Sequence, residues 1–336
     1  MNNRYSRQIR FQPIGEHGQE QMAKKHVLIV GCGALGSANA EALVRAGVGE
    51  VSIVDRDYVE ESNLQRQHLF TEKDVEQQLP KAIAAQQHLR EINQCIKIHA
   101  HVMDVTGETL EPLIKDVDLV MDATDNFDTR FILNDALHQH RIPWIFGACV
   151  GATGMSYTVI PNETPCLRCL LDAIPVAGVT CDAVGIIGPA VQMVVAHQTA
   201  EALKLLTGAA DKQRATYLTF DLWNNLYQTI RVEGVKRDEC LTCGMNPTYP
   251  ALAYQNQLKT EVLCGRDTVQ LRASTSHSLA ALAARFQVFT SVKQNEYLVS
   301  ITYQSYRIVF FLDGRTLIHG TNSVTEAKKI YYQLVG

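Results

Sequence analysis

The sequence predicts an α/β fold: a Rossmann-like nucleotide-binding sheet, mostly parallel with antiparallel additions, followed by a small C-terminal α+β domain. Three observations predict it. Apolar, β-branched runs alternate with helix-period segments through the first half of the chain, the pattern of a parallel sheet covered on both faces. The glycine-rich turn Gly31-Cys32-Gly33-Ala34-Leu35-Gly36 follows the first of these runs and opens a helix, the context of a phosphate-binding loop. After Cys243 the composition shifts to Gly244, Asn246, Pro247, Tyr249 and Pro250, and a new strand–helix pattern begins near Leu263.

In chain order, strands are expected at residues 27–30, 51–54, 96–99, 119–121 and 144–146, with helices at 34–46, 81–92 and 129–140 between them. Residues 155–160 read as a strand. Residues 189–206 read as a long helix, with Pro189 near its start and Gly208 just past its end. Residues 217–221 and 227–232 read as two further strands, antiparallel to one another. The organisation is therefore 1–249 for the main domain, 250–262 for a linker and 263–336 for the small domain. In the last of these, strands are expected at 269–272, 297–303, 306–312 and 316–319, with Asp313-Gly314 as a tight turn. Helices are expected at 278–286 and 325–334, the second capped by Ser323 or Thr325.

A chain of 336 residues with net charge −4 and pI near 6.3 gives no electrostatic case for nucleic acid or anionic membrane. No apolar run reaches the length of a membrane span, and Met1–Arg7 has no signal-peptide core. The expectation is a cytoplasmic protein. In that reducing compartment nine cysteines read as metal ligands, reactive thiols and apolar fillers rather than as a disulfide framework.

Gly31 permits the tight turn, Gly33 lets the backbone approach phosphate, and Gly36 allows close helix–strand packing. Asp55 ends the second strand, where a carboxylate accepts from ribose hydroxyls. The loop alone does not separate a nicotinamide dinucleotide from ATP. The segment Ser62-Asn63-Leu64-Gln65-Arg66-Gln67, with Asp57 before it and Lys81 behind Pro80, adds the cations that a triphosphate and a leaving pyrophosphate require; the alternative is an exposed polar loop. Thr124-Asp125-Asn126 lies at the carboxyl edge of the fourth strand. Asp125 there either holds Mg²⁺ against substrate phosphates or caps the following helix. Two Cys-x-x-Cys pairs, Cys166/Cys169 and Cys240/Cys243, are redox motifs taken singly. Taken together they supply the four thiolates of a closed, structural Zn²⁺ site. Cys32, Cys95, Cys149 and Cys264 are expected to be small apolar fillers.

These motifs together resemble the ThiF/MoeB/HesA family of adenylyltransferases, bacterial relatives of ubiquitin-activating enzymes. Arg4-Tyr5-Ser6-Arg7-Gln8 joins them, and the resemblance runs from about residue 4 to about residue 244. It implies an ATP-dependent adenylation of the C-terminal carboxylate of a small ubiquitin-like sulfur-carrier protein ending in Gly-Gly, for thiamin thiazole or molybdopterin synthesis. It implies ATP, Mg²⁺ and Zn²⁺, a homodimer, and an external sulfur donor. By resemblance, Asp55 binds the ATP ribose, and Asn63, Arg66 and Lys81 hold the triphosphate. Asp125 binds Mg²⁺, and Arg7 is an arginine finger entering the partner subunit's site. Cys181 either takes the activated carboxyl group or joins persulfide exchange, or is an incidental loop thiol. The rivals are adenylation of a peptide or a tRNA base, an NAD-dependent oxidoreductase and a non-catalytic scaffold. An oxidoreductase leaves Arg66, Lys81 and both cysteine pairs without a role.

Overall fold

The computed structural model describes residues 3–173, 185–252, 261–262, 267–272, 276, 278–287 and 291–335. The chain forms two compact units, Met1–Glu76 with Pro80–Tyr254, and Gln77–Leu79 with Gln255–Gly336.

The first unit is built on eight strands: β1 (His26–Val30), β2 (Glu50–Asp55), β3 (Lys97–Val102), β4 (Leu119–Asp122), β5 (Trp144–Val150), β6 (Thr153–Val159), β7 (Thr216–Asp221) and β8 (Leu226–Arg231). Their order is β3-β2-β1-β4-β5-β6-β7-β8. The sheet is parallel from β3 to β5 and antiparallel from β5 onward, as the sequence predicts. The strand order reverses between β1 and β4, so the loops leaving these strands diverge and open a crevice. The larger helices are α1 (Gly15–Met22), α2 (Ala34–Ala46), α3 (Lys81–Ile92), α4 (Phe127–Gln139), α5 (Leu167–Ala173) and α6 (Gly188–Leu206). Leu133 and Leu137 of α4 and Leu167 and Leu170 of α5 pack with Leu28, Val54, Val120, Trp144 and Tyr157 in one buried cluster. Each such apolar side chain stabilises the fold by roughly 1.5–3 kcal/mol on burial. Helix α5, which starts inside the first Cys-x-x-Cys pair, has no counterpart in the sequence reading; at seven residues it shows fewer than two turns of periodicity.

Helix α6 carries a buried amide into the sheet. Gln198 Nε2 donates to the carbonyls of Asp122 (2.8 Å) and Ile145 (3.1 Å), and its Oε1 accepts from Asn39 Nδ2 (2.7 Å). Gly147 on β5 makes room, since a Cβ there would collide with the Gln198 amide. This brace ties the carboxyl end of β4 to the start of β5.

The second unit is a six-stranded antiparallel sheet: β9 (Glu261–Val262), β10 (Thr268–Arg272), β11 (Val292–Gln294), β12 (Leu298–Tyr303), β13 (Tyr306–Phe311) and β14 (Arg315–His319), in the order β11-β12-β13-β14-β10-β9. Helices α7 (Leu279–Phe286) and α8 (Val324–Val335) bury Leu282, Phe286, Ala327 and Ile330 against Val269, Ile301, Ile308 and Phe310. Gly314 turns at φ +89°. Ser323, not Thr325, caps α8, its Oγ accepting from Glu326 N–H at 3.3 Å. Short strands β9 and β11 were not legible in the sequence, two or three residues being too few for a period. Asn295 Nδ2 donates to the carbonyls of Gln77 (3.1 Å) and Gln78 (3.0 Å), which belong to this unit. Among the described residues no helix is long and apolar enough to cross a membrane.

Candidate active site and metal centre

The glycine turn between β1 and α2 has the geometry its spacing predicts. Gly31 sits at φ +89°, and a Cβ there would lie 2.6 Å from the Ala123 carbonyl oxygen. A Cβ on Gly36 would collide with the Gly31 carbonyl, so α2 starts directly against the turn. Gly33 caps α2 without a side chain, leaving the first backbone N–H groups of the helix directed at the crevice, an anion site by partial charge alone.

Asp55 at the end of β2 ties this loop down. One carboxylate oxygen accepts from Cys32 N–H and the other from Asp57 N–H (2.6 Å). Each oxygen keeps a lone pair for a further donor. Burial pushes the Asp55 carboxyl up from its ordinary range, and the nearby Lys81 ammonium pulls it back. Lys81 begins α3 with its side chain only 4% exposed, its Nζ 3.3 Å from Asp57 Oδ2 and its backbone N–H on the Asp57 carbonyl (2.9 Å). A buried ammonium requires an anionic partner, and Asp57 supplies one beside the loop. Asn63 is buried, and its Oδ1 accepts from Glu60 N–H at 3.1 Å. Arg66 Nη1 donates to the Ser62 carbonyl (2.9 Å) and is half-buried. Gln67, which carried no role in the sequence reading, is buried with its amide nitrogen 3.7 Å from where a Gly33 Cβ would stand.

At the end of β4 the two readings of Asp125 separate. Asn126 is the cap of α4: its Oδ1 accepts from Thr129 N–H at 2.8 Å. Asp125 is left exposed at the strand's carboxyl edge, touched by Asn126 Nδ2 at 3.3 Å. Behind it lies a buried pair that the sequence reading missed. Asp122, fully buried, accepts from Arg130 Nε (3.1 Å), Thr124 N–H (3.0 Å) and Thr124 Oγ1 (2.7 Å). Arg130 Nη2 also reaches the carbonyls of Thr124 (2.6 Å) and Gly147 (3.2 Å). Burial raises the Asp122 carboxyl, and Arg130 with the Thr124 donors opposes this. The available signal was a carboxylate in the apolar run Leu119-Val120-Met121-Asp122, which requires a buried partner. The pair fixes the backbone from which Asp125 projects.

Arg7 is not brought to this crevice. It is exposed on the Ser6–Ile9 turn, which docks at the far end of α2 through Gln8 and the Ala46 carbonyl (2.8 Å). Thirteen helical residues separate that end from the glycine loop by about 20 Å, beyond the reach of an arginine side chain. Cys181 lies outside the described residues, as does Cys264. Cys32 and Cys149 are buried fillers, but Cys95 is exposed, because the turn after α3 turns it outward rather than into the core.

The two Cys-x-x-Cys pairs converge. The four sulfurs of Cys166, Cys169, Cys240 and Cys243 lie within 4.8 Å of one another, all buried, with Sγ–Sγ separations of 3.6 Å for Cys166–Cys240 and 3.5 Å for Cys169–Cys243. Tetrahedral Zn²⁺ with Zn–S of about 2.3 Å places its sulfurs about 3.8 Å apart, so the donor set fits that ion, with no position open for substrate. Gly244 is required after the second pair, since a Cβ would strike the Cys240 and Asp238 carbonyls. The surrounding shell comes from α4. Asn134 Oδ1 accepts from Leu167 N–H (2.8 Å), and its Nδ2 donates to Thr242 Oγ1 (3.0 Å). Asp135 accepts from the Thr242 hydroxyl and from Ala251 N–H (2.9 Å), with Arg168 Nη2 at 3.5 Å. One helix therefore holds a residue from each cysteine turn.

The model of the ThiF family matches residues 5–242. The chain is 50% identical, over the whole of both chains, to the sulfur carrier protein ThiS adenylyltransferase of Bacillus subtilis (strain 168). It is 34% identical to the sulfur carrier protein adenylyltransferase of Thermus thermophilus, over 78% of this chain and 96% of that protein. The solved structure of E. coli MccB superposes with a TM-score of 0.64 at 20% identity, covering 74% of each chain, which shows the shared fold. With a matching family model over most of its length and these relatives, the chain belongs to the ThiF family.

Proposed function

We propose that this protein adenylates the C-terminal carboxylate of a ThiS-like, ubiquitin-like sulfur carrier. The observation that carries the reading is the convergence of the glycine loop, the Asp55–Asp57–Lys81 cluster and the exposed Asp125 on one sheet edge, in a chain half identical to a carrier adenylyltransferase. ATP enters with its phosphates at the start of α2 and its ribose hydroxyls at the free lone pairs of Asp55. A carrier carboxylate oxygen attacks the α-phosphorus. The bond from that phosphorus to the bridging oxygen breaks, and pyrophosphate leaves with the electron pair. Lys81, Arg66 and Asn63 hold the triphosphate as charge shifts onto the leaving group. Asp125 would hold Mg²⁺, which supplies neutralising charge on the phosphates when bound. Cys166, Cys169, Cys240 and Cys243 would hold Zn²⁺ in a structural role. Arg7, out of reach of its own crevice, serves the site of a second copy in a homodimer. A sulfur donor then displaces AMP to leave a thiocarboxylate.

The test is ATP–pyrophosphate exchange with a Gly-Gly-ended ThiS-type carrier, with a carrier lacking the two glycines, and with none. Exchange only with the intact carrier is expected. Exchange without any carrier, or none with it, would remove the reading; preference for a MoaD-type carrier would move it to molybdopterin synthesis.

A further inference from the structure

Within Arg4-Tyr5-Ser6-Arg7-Gln8, Tyr5, Ser6 and Gln8 are half-buried while Arg4 and Arg7 are exposed. Arg4 Nη1 donates to the Ile92 carbonyl (2.9 Å) at the end of α3. The Tyr5 hydroxyl accepts from Asn93 Nδ2 (2.9 Å), and the same amide donates to the Val44 carbonyl (3.1 Å). Asn93 is buried, with Oδ1 accepting from Cys95 N–H at 3.3 Å. The Tyr5 ring occupies the space above Gly47, where a Cβ would lie 2.5 Å from it and where φ is +90°. Gln8 Nε2 donates to the Ala46 carbonyl (2.8 Å) and to Gln19 Oε1 (2.7 Å). The contacts to Ile92 and Ala46 satisfy carbonyls at the ends of α3 and α2, and with Asn93 they anchor the arm to rigid elements at the end of the unit away from the glycine loop.

We propose that Tyr5, Gln8 and Asn93 form a latch that holds the N-terminal arm on one protomer and presents Arg7 to the active site of a second copy. They are positioning residues, acting through Arg7. The inference rests on the adenylation reading and on the role of Arg7 in it. Misplacing a charged catalytic group by about 1 Å can cost about 10²-fold in rate, so a loosened arm should be visible in turnover. The loss should appear in the wrong subunit: breaking the latch on one chain should slow the chemistry of the other.

Mixed dimers made by co-expressing two differently tagged chains test this, with Asp125→Ala silencing one site and pyrophosphate exchange as readout. The control pairs an Asp125→Ala chain with a wild-type chain. In the first arrangement Tyr5→Ala and Asp125→Ala share one chain beside a wild-type partner. The working site then takes its arginine from a latch-broken arm, and exchange should fall about 10²-fold below control. In the second arrangement Tyr5→Ala is on one chain and Asp125→Ala on the other. The working site then takes its arginine from an intact arm, and exchange should match control. Gln8→Ala should repeat the asymmetry, and Tyr5→Phe, which keeps the ring and loses the hydroxyl, should show it more weakly. Equal loss in both arrangements would mean a fold defect and would overturn the latch. So would loss confined to the second arrangement, which places the arm in cis, or no loss in either. Failure of the wild-type homodimer to exchange would instead overturn the adenylation reading, and the latch with it.

Discussion

Asp125 and Asn126 are adjacent and chemically similar, yet the fold gives them different work. Asn126 spends its side-chain oxygen on Thr129 N–H, while Asp125 keeps its carboxylate exposed at the sheet edge. Asp125→Ala should therefore abolish pyrophosphate exchange and leave the melting temperature unchanged, whereas Asn126→Ala should cost about 1 kcal/mol of stability through the lost cap. Exchange at wild-type rate in Asp125→Ala, measured at saturating ATP and carrier, would take Asp125 out of the chemistry. A second residue-scale expectation concerns pH. Burial, then Arg214, holds the His197 imidazole below its ordinary value of 6.5, and burial with His99 and His26 does the same to His101. Between the depressed folded values and 6.5 the unfolded chain binds more protons than the native one. Stability from this source is present above 6.5 and is lost as pH falls through the folded values. Thermal melts should show a falling midpoint as pH drops below 6.5, with a shallower fall in His197→Gln. An identical slope in that variant would show that His197 does not contribute.

Two helices each connect distant parts of the first unit. The start of α2 faces the phosphate crevice and its end carries the arm bearing Arg7. The start of α4 lies behind Asp125, and its later turns present Asn134 and Asp135 to the cysteine turns. The four-sulfur cluster thus holds the segments around Cys166 and Cys240 to the helix that follows Asp125. Metal analysis of the purified protein should find one zinc per chain. Cys169→Ser or Cys243→Ser should lower thermal stability and soluble yield far more than turnover of the folded fraction, since Zn²⁺ in small peptides contributes roughly 10–16 kcal/mol of apparent free energy. Asp135→Ala leaves the buried Thr242 hydroxyl and the half-buried Ala251 N–H without their acceptor, costing about 1–3 kcal/mol for the buried hydroxyl, and should speed zinc loss to a chelator. A metal-free preparation that melts like the holoprotein would contradict the structural role.

The two units have separate cores, and the catalytic candidates described above all lie in the first. Ala251 N–H bonds to Asp135, and Leu252 packs with the first unit's core, so a truncation should end after Tyr254 rather than at Pro250. Such a truncation should retain pyrophosphate exchange at saturating carrier, with lower thermal stability or weaker carrier binding. It removes Asn295, whose Nδ2 donates to the Gln77 and Gln78 carbonyls of the same unit. Loss of exchange in a folded, zinc-replete truncation would show that the second unit takes part in the chemistry.

Local features can be read from short stretches of the chain. A strand, a glycine turn and a helix follow one another in fixed spacing, so Gly31, Gly33 and Gly36 could be assigned from the requirement for a left-handed turn and close backbone approach. Alternating apolar runs fixed the parallel sheet, because their period is a property of neighbouring residues. The pairing of Cys166/Cys169 with Cys240/Cys243 was legible because four thiolates have few other uses at that spacing. What depends on long-range contact was decided by tertiary structure alone. Asp122 meets Arg130, Gln198 meets Asn39, and Asn134 and Asp135 reach the cysteine turns because packing buries these polar groups, and buried polar groups must find partners wherever the fold supplies them. Neither the distance of Arg7 from its own crevice nor the anchoring of its arm by Asn93, 88 positions from Tyr5, has a local signature, since both arise from where α2 and α3 end in space.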